Sequence, residues 1–382
     1  MANTLGVYNP IFYAQEALVQ LEKSLGMASR VYMGYDTERR AYGLGETINI
    51  KRPSTFTVAD APATAQDITT ETVAMSLDNW REVKFKLTDK ELAFTGERII
   101  QDHIRPAAYA LADDIDSKLV DLSFDVGNIN TESGAFDKDT IPNFVRKPLF
   151  DAQAPIQDVG QLHFMVGGQE EAELLTDSAF SQHQGAGDSG VSTQLRGTLG
   201  TKFGFEVFAN QNIATLSGVT DLTDLAGAVN GAVTKGSTSV ALDALQASGT
   251  IIRGTKITFA GDDTIYAVAA DATITSNAAT VTLSQGLKAD ISDNAVATLV
   301  NQDDGNQCLG FHRNAFGLVM APLSEMGNEL GANIATVSDP ITGLSLRSRV
   351  YYVGNSSEVH VALDVLYGVK TLDPRLACRV VG

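Results

Sequence analysis

A change of composition divides this sequence near its middle. Ahead of Asn210 the chain carries a β-like segment with glycines at positions 197, 200 and 204. Residues 216–305 are rich in Thr, Val and Ala instead, with turn residues at short intervals. The composition of the first part resumes at Gly310. The pattern predicts a β-rich domain that is interrupted by an inserted, smaller one.

The middle stretch has the pattern of short strands. Its candidate strands are rich in Thr, Val and Ala, and Gly, Asp and Asn turns separate them. The candidates are Ser239–Leu242, Lys256–Phe259, Thr264–Val268, Ala272–Thr275, Thr280–Leu283 and Val296–Val300. Strands at this spacing favour a small β-barrel or sandwich.

The N-terminal part combines a helical pattern with an extended segment. Apolar residues at helical spacing over Pro10–Leu25 predict a helix within an N-terminal arm, residues 1–37. Residues 38–80 alternate in strand fashion at Thr47–Lys51 and Thr55–Val58. These two strands predict an extended β loop with too little side-chain mass for its own core, so we expect it to need a partner surface.

A long helical pattern follows a strand predicted at Val83–Leu87. Thr88 and Glu91 have the spacing of a capping box. Apolar residues then recur at intervals of three and four, and Pro106 predicts either a kink or the start of a second helical part. We expect a long spine helix that organises a domain.

The other predicted elements are shorter. They are a strand at Gln161–Val166, a helix at Gln169–Phe180, a flexible loop at Ser181–Gly190, Gly-punctuated strands over 195–210, and strands at Ser345–Val353 and Val359–Leu363.

Charge and composition exclude several classes of protein. The formal net charge of -18 repels nucleic acid at long range, and Lys and Arg are dispersed. The two cysteines, Cys308 and Cys378, form no Cys-x-x-Cys pair, so neither a disulfide framework nor a zinc site is expected. The sequence has neither a signal-peptide pattern nor a membrane-spanning apolar stretch, which predicts a soluble protein made in the cytoplasm.

Two short motifs resemble catalytic or cofactor sites. Gly185–Gly190 matches Gly-x-Gly-x-x-Gly but lacks the strand before it and the helix after it that a dinucleotide site needs. Gly187–Gly190 reads Gly-Asp-Ser-Gly, as around a protease nucleophile, yet none of the His residues at 103, 163, 183, 312 and 360 lies in a matching motif. We therefore predict no catalytic residues, no cofactor and no enzyme activity.

Acidic turns are the remaining candidate site. Asp262–Asp263, Asp290 with Asp293, and Asp303–Asp304 could bind a hard cation such as calcium. None has the spacing of an EF-hand loop, and Asp is an ordinary turn residue. We interpret them as solvated turns and predict no metal site.

Three segments carry a resemblance to a known family. They are Leu195–Phe208, with its Gly-x-x-Gly-x-x-x-Gly-Phe pattern, Phe311–Phe316 and Leu366–Arg375. With the order of elements along nearly the whole chain, they are similar to the major capsid proteins of tailed bacteriophages with the Hong Kong ninety-seven fold. The podophage-type branch that carries an insertion domain is the most similar.

The resemblance implies an α+β fold with named parts. After the arm and the extended loop, it implies a peripheral domain at 81–155 with the spine helix near 97–125. It implies an axial domain in two parts, 156–215 and 306–382, and an inserted β-barrel domain at 216–305 on the outer surface.

The resemblance also implies a function and partners. The chain would self-assemble through hexamers and pentamers into an icosahedral virion capsid, starting from the host cytoplasm. Scaffolding and portal proteins would be partners, and double-stranded DNA would be packaged without sequence-specific binding or a membrane. An encapsulin-like compartment of the same fold is the main alternative. A β-rich adhesin or tail-decoration protein is a further alternative, but the predicted spine helix argues against it. An enzyme is the last alternative, and it would require turnover of a substrate that is lost when Ser189 is mutated.

Overall fold

The computed structural model describes most of the chain. The described residues are 14–19, 21, 26–33, 47–51, 58, 60–61, 65, 72–88, 103–182, 188–219, 222–323, 333–338, 344–356 and 358–382. They divide into two compact units: residues 1–115 with 317–372, and residues 116–316 with 373–382.

The chain contains both helices and long runs of strands, as in an α+β protein. The helices are residues 14–19, α1 (Arg105–Asp121), α2 (Lys147–Asp151), α3 (Gly168–Thr176), α4 (Ser178–Ser181) and α5 (Asp188–Arg196). Single turns of 3₁₀ or π-helix lie at Ala28–Arg30, Leu122–Asp125, Ile141–Arg146, Arg313–Ala315 and Pro374–Leu376.

The strands are β1 (Thr47–Lys51), β2 (Thr72–Ser76), β3 (Asn79–Thr88), β4 (Ile129–Thr131), β5 (Leu162–Val166), β6 (Gly200–Lys202), β7 (Phe205–Ala209), β8 (Thr215–Leu216), β9 (Ala226–Val229), β10 (Ser239–Asp243), β11 (Ser248–Ile251), β12 (Lys256–Phe259), β13 (Asp262–Ala267), β14 (Ala272–Thr275), β15 (Ala279–Thr282), β16 (Val296–Val300), β17 (Gly305–His312), β18 (Phe316–Met320), β19 (Asn333–Ser338), β20 (Ser345–Val353), β21 (Glu358–Thr371) and β22 (Ala377–Val381).

The first unit contains an antiparallel sheet in the order β18-β21-β20-β19, with β3 also paired to β21. The apolar stripe of α1 is buried, as its helical spacing predicted, at Ala107, Ala108, Leu111 and Ile115. The helix is tied to β21 by the Tyr367 hydroxyl, which donates to Asp114 at 2.6 Å. Pro106 is the second residue of α1, and the π-helical residues His103 and Ile104 directly precede this helix.

The extended loop differs from its prediction. β1 pairs in antiparallel register with β2, a strand that was not predicted, and residues 55–57 of the predicted strand at 55–58 lie outside the described residues. Ile48 and Ile50 of β1 are buried with Met75, Val319 and Leu372 in one apolar cluster. The expectation that this loop needs a partner surface is therefore wrong for its base, because the base packs on the chain's own first unit.

The second unit has a sheet in the order β4-β22-β17-β5-β7-β6. β5 and β7 are parallel, and β17 runs antiparallel to β5. Its apolar core includes Phe164, Phe205 and both cysteines, which are buried free thiols. Burial raises the pKa of the Cys378 thiol to about 12, so it stays protonated and inert.

Residues 222–300 of the second unit form a barrel with its own core. Its sheet runs β13-β12-β16-β9-β10-β15. The two edge strands meet at the bridge Val268↔Leu283, with the Ser284 amide donating to the Ala267 carbonyl at 2.9 Å. Ile257, Tyr266 and Val281 are fully buried inside. We call residues 222–300 the barrel.

The two chain segments that lead into and out of the barrel pair with each other. Thr215 and Leu216 of β8 lie opposite Asn306 and Gly305 of β17. The Gln307 amide also donates to the Ala214 carbonyl at 2.8 Å. We call this pairing the stem.

Several predicted bounds need correction. The described helix α1 starts at Arg105, and Thr88 ends β3, while the rest of the proposed capping box lies outside the described residues. The helix predicted at 169–180 is two helices, because Asp177 is extended and its carboxylate accepts from the Ala179 amide to start α4. The loop predicted at 181–190 is shorter than expected, since α5 begins at Asp188, and α5 also replaces the strand expected at 195–196.

The division into two units does not follow the predicted domain bounds. Residues 317–372, expected in the second axial part, cluster with 1–115. The cause is the long pairing of β21 with β3, which joins Tyr367 to Asn79 and Glu358 to Thr88 in one ladder.

Candidate assembly surface

One face of the β3-β21-β20 sheet carries a row of charged side chains. Residues directly opposite each other in antiparallel strands point to the same face. Glu82 lies opposite Asp364, and Lys86 lies opposite His360. We call this set the charged face; its members are Glu82, Lys84, Lys86, Arg347, Arg349, Tyr351, Glu358, His360 and Asp364.

Asp364 is the centre of the charged face. Its carboxylate is fully buried and accepts from Arg347 Nε at 3.1 Å and from Arg349 Nη2 at 3.1 Å. Arg349 also donates at 2.8 Å to Glu82 of β3, across the intervening strand β21. Two guanidinium groups therefore share one buried carboxylate, which fixes the register of β20 and β3 on β21.

The other end of the charged face is also paired. Lys86 Nζ donates to Glu358 at 2.7 Å, and His360 Nε2 lies 3.3 Å from the same carboxylate. The hydrogen bond from Lys86, with that from His360, lowers the pKa of Glu358 to about 2. Lys84 Nζ lies 5.1 Å from the centre of the Tyr351 ring. Because these cations have partners within the chain, the face is a poor site for phosphate groups.

Trp80 is the exposed apolar residue at the end of this sheet. It is the one tryptophan in the sequence and is 58% exposed. It lies opposite the half-buried Leu366. Tryptophan is enriched in protein interfaces, because its large flat ring buries much area while its N–H stays hydrogen-bonded.

The candidate catalytic residues do not come together. Each described histidine has a different neighbour: His103 packs on Phe85, His163 contacts Glu206 at 2.9 Å, His312 faces Asp158 at 3.5 Å, and His360 faces Glu358. His183, Gly185–Gly187 and the Ser189 side chain lie outside the described residues. No described residues therefore assemble the nucleophile and base that a protease requires.

The acidic turns act as acceptors for the chain's own amides. Asp290 accepts from the Lys235 amide at 2.7 Å and Asp293 from the Gly231 amide at 2.8 Å. Asp304 accepts from two successive amides, those of Gly218 and Val219. Within the described part of the chain, no three His, Cys, Asp or Glu residues are grouped as metal ligands. The carboxylates stabilise loops, as the turn interpretation predicts.

The glycines of the 195–208 segment have a conformational reason. Gly197, Gly200 and Gly204 all have positive φ, at 66°, 62° and 90°. A residue with a Cβ is strained in that region, so these turns around β6 favour glycine. At Gly204 the turn also brings the Phe203 carbonyl to Arg146, which donates to it at 2.9 Å.

Sequence reasoning missed that His312 is buried beside a carboxylate. His312 is 3% exposed; its Nδ1 accepts from the Asn314 amide at 3.2 Å and its Nε2 lies 3.5 Å from Asp158. Burial lowers the pKa of His312, and Asp158 opposes that shift only in part. Protonation would also remove the acceptor that starts the turn at 313–315.

We expect acid to destabilise the protein through His312. The folded pKa lies below the ordinary value of 6.5, so the unfolded chain binds the proton more readily. The free energy of unfolding therefore falls as pH drops below about 6.5 and levels off below the folded pKa. Urea titrations across this pH range measure the effect. His312→Asn should make the free energy of unfolding less dependent on pH, whereas His103→Asn, at an exposed residue, should not. An unchanged slope in His312→Asn would refute this assignment.

Comparisons with known proteins bear on the fold. No family model and no curated protein sequence matches the chain. The chain is similar to a solved structure from Mycobacterium phage Che8, with 16% identity, 93% of this chain and 90% of that chain covered, and a TM-score of 0.53.

Two further solved structures are less similar. One is the mature capsid of bacteriophage PhiM1, with 12% identity, 88% and 82% of the two chains covered, and a TM-score of 0.49. The other is a virus-like particle from Pyrococcus furiosus, with 9% identity, 97% of both chains covered, and a TM-score of 0.43.

The fold follows from the Che8 likeness and the described topology. Of the described helices, none is both long and apolar enough to cross a membrane. At these low sequence identities, the comparisons show only the fold. The overall fold prediction is confirmed: the chain has an α+β fold of the Hong Kong ninety-seven type.

Proposed function

We propose that this chain is a major capsid protein, which self-assembles into the icosahedral shell of a tailed phage around double-stranded DNA. The observation that carries the proposal is the likeness to the Che8 phage structure over 93% of this chain. A structural role also agrees with the scattered histidines and with acidic turns such as Asp290, whose carboxylate accepts from a backbone amide.

The proposed partners follow from a shell. Copies of the chain would meet in hexamers and pentamers, with scaffolding and portal proteins during assembly, first in the host cytoplasm and then in the virion. The net charge of -18 and the internally paired charged face suit a wall that does not trap DNA. Contact with the packaged DNA would then be independent of its sequence.

We propose further that residues 216–305 are an inserted domain within this subunit. The stem brings Thr215 and Asn306 opposite each other, so the chain enters and leaves at one place. The barrel has an apolar core of its own, including Ile257 and Val281. Adjacent ends and a separate core are what allow one domain to be inserted in another.

Assembly should change the fluorescence of Trp80. A side chain that is 58% exposed in the single chain should lose contact with water if this edge of the sheet becomes a subunit contact. We expect a blue shift of the emission maximum on assembly, reported by this residue because the sequence has no other tryptophan. Trp80→Ser should slow assembly severalfold without lowering the stability of the free chain. Emission that is identical in free and assembled protein would place Trp80 outside the contacts.

The contents of the particle test the phage assignment. Particles recovered from the native host are treated with nuclease and opened, and their contents are analysed. Protected double-stranded DNA of uniform length is the result we expect. Particles that hold an enzyme and no DNA would refute the phage assignment and identify an encapsulin-like compartment.

A further inference from the structure

Arg379 of β22 is a buried cation at the junction between the barrel and the rest of the second unit. Its side chain is fully buried, and Nη2 donates to the Gly254 carbonyl at 2.7 Å. Its guanidinium lies 5.1 Å from the Phe124 ring, and that of Arg253 lies 5.3 Å from the same ring. We call Phe124, Arg253, Gly254 and Arg379 the arginine clasp.

The charge of Arg379 is poorly compensated. Its Nε and Nη1 have no hydrogen-bond partner, and among the described residues no carboxylate forms an ion pair with it. Burial, with Arg253 nearby, lowers the pKa of Arg379 to about 9. One hydrogen bond and one cation–π contact stabilise the guanidinium by less than the free energy needed to remove it from water. The arginine clasp therefore holds the barrel only weakly against the rest of the second unit.

Other contacts also join the barrel to the rest of the second unit, including close packing of Gly127 on the Tyr266 backbone. Arg253 Nη1 donates to Asp121 at 2.7 Å, and Ser284 Oγ donates to the Asp125 carbonyl. A cleft of about 530 Å³ lies beside the clasp; its lining includes Phe124, Leu216, Val219, Ile252 and Arg253. The stem closes one side of this region by backbone pairing, so the barrel has a firm attachment at the stem and a weak one at the clasp.

We propose that the contacts of the arginine clasp can break reversibly. The barrel then moves away about its stem as one body, while its own core stays folded. The opening separates Arg379 and Phe124 from residues 252–254 and gives water access to the buried guanidinium. This inference concerns the second unit alone and does not depend on the proposed shell function.

The test is hydrogen exchange, followed by mass spectrometry, on the purified chain. Peptides that cover 122–127 and 252–255 should open at much lower denaturant than peptides of β12 and β17, which report the two cores. Exchange of all four peptides in a single step would overturn the proposal, because the barrel would then not open as a separate body.

Two substitutions in the arginine clasp should change the hydrogen-exchange rate at the junction in opposite directions. Arg379→Met removes the buried charge but keeps an unbranched side chain on Phe124, and should slow exchange at 122–127 and 252–255 at least tenfold. Arg253→Met removes the ion pair with Asp121 and should speed that exchange by a similar factor. Arg375→Met is the control, since Arg375 is exposed and pairs with Asp373 in its own turn. Faster exchange in Arg379→Met would overturn the proposal, because it would show that Arg379 makes a net stabilising contribution to the closed junction. If Arg379→Met does not fold, the wild-type exchange pattern and Arg253→Met still decide.

Discussion

Replacing Asp364 with alanine should destabilise the protein by about 3–5 kcal/mol, the usual cost of removing one member of a buried ion pair. The Asp364 side chain is 0% exposed, and the Arg347 side chain beside it is 10% exposed. The substitution removes the carboxylate that faces both Arg347 and Arg349, and these cations have little water to replace it. Urea unfolding of the purified chain measures the loss.

The control for Asp364 is a pair with the same charges on the surface. Lys147 and Asp151 lie one helical turn apart in α2 and are 70% and 57% exposed. Asp151→Ala should cost less than about 0.5 kcal/mol. A loss at Asp364 no larger than that at Asp151 would contradict the account of the charged face as a buried network.

Gly368→Ala should have the second largest effect, a loss of roughly 2–3 kcal/mol. A Cβ at Gly368 would lie 2.2 Å from the Ser76 carbonyl oxygen and 3.0 Å from its carbon. Because these are backbone atoms of the strand β2, no side-chain rotation relieves the clash, and β2 or β21 must shift. Thermal unfolding of the variant should show the loss as a lowered Tm.

Gly354→Ala is the matched control for Gly368→Ala. It lies beyond the end of β20, where an added Cβ meets nothing within 4 Å. It should leave the Tm nearly unchanged. Equal Tm values for the two variants would show that β2 and β21 are not packed as closely as described.

Local patterns in the sequence predicted much of this fold. The bounds of β1, β12, β14, β16 and β20 agree with the predicted strands. These strands succeed because their turns are marked by residues with special backbone needs, such as Ser276 and Asn277 with φ of 53° and 66°. The buried stripe of α1 follows from helical spacing in the same way.

The elements that escaped prediction lack a periodic signal. The strand β21 was predicted only over Val359–Leu363; its residues from Val361 to Val365 are all buried, so no alternation of apolar and polar residues marks how far the strand continues. The partner of β1 is β2, which begins 21 residues after β1 ends, and sequence proximity favoured the nearer segment. Pairing between distant segments depends on tertiary packing, which the local pattern does not encode.

The buried charges were also beyond the sequence. Asp364 and Arg379 lie in the middle of their strands and His312 ends β17, and nothing adjacent to them in the chain marks their burial. Their partners come from other segments of the chain: Arg347 and Arg349 of β20 for Asp364, and Gly254 in the turn between β11 and β12 for Arg379. Only a β pattern with a charge at an inward position could have pointed to them.

Negative-stain electron microscopy of the purified full chain tests the central claim most directly. A concentration series is imaged at low and moderate salt, with and without a crowding agent that favours assembly. The account predicts closed, icosahedral shells of uniform diameter, whose formation rises steeply with protein concentration. Monomers or irregular aggregates under every condition, from a chain that is folded by circular dichroism, would contradict it.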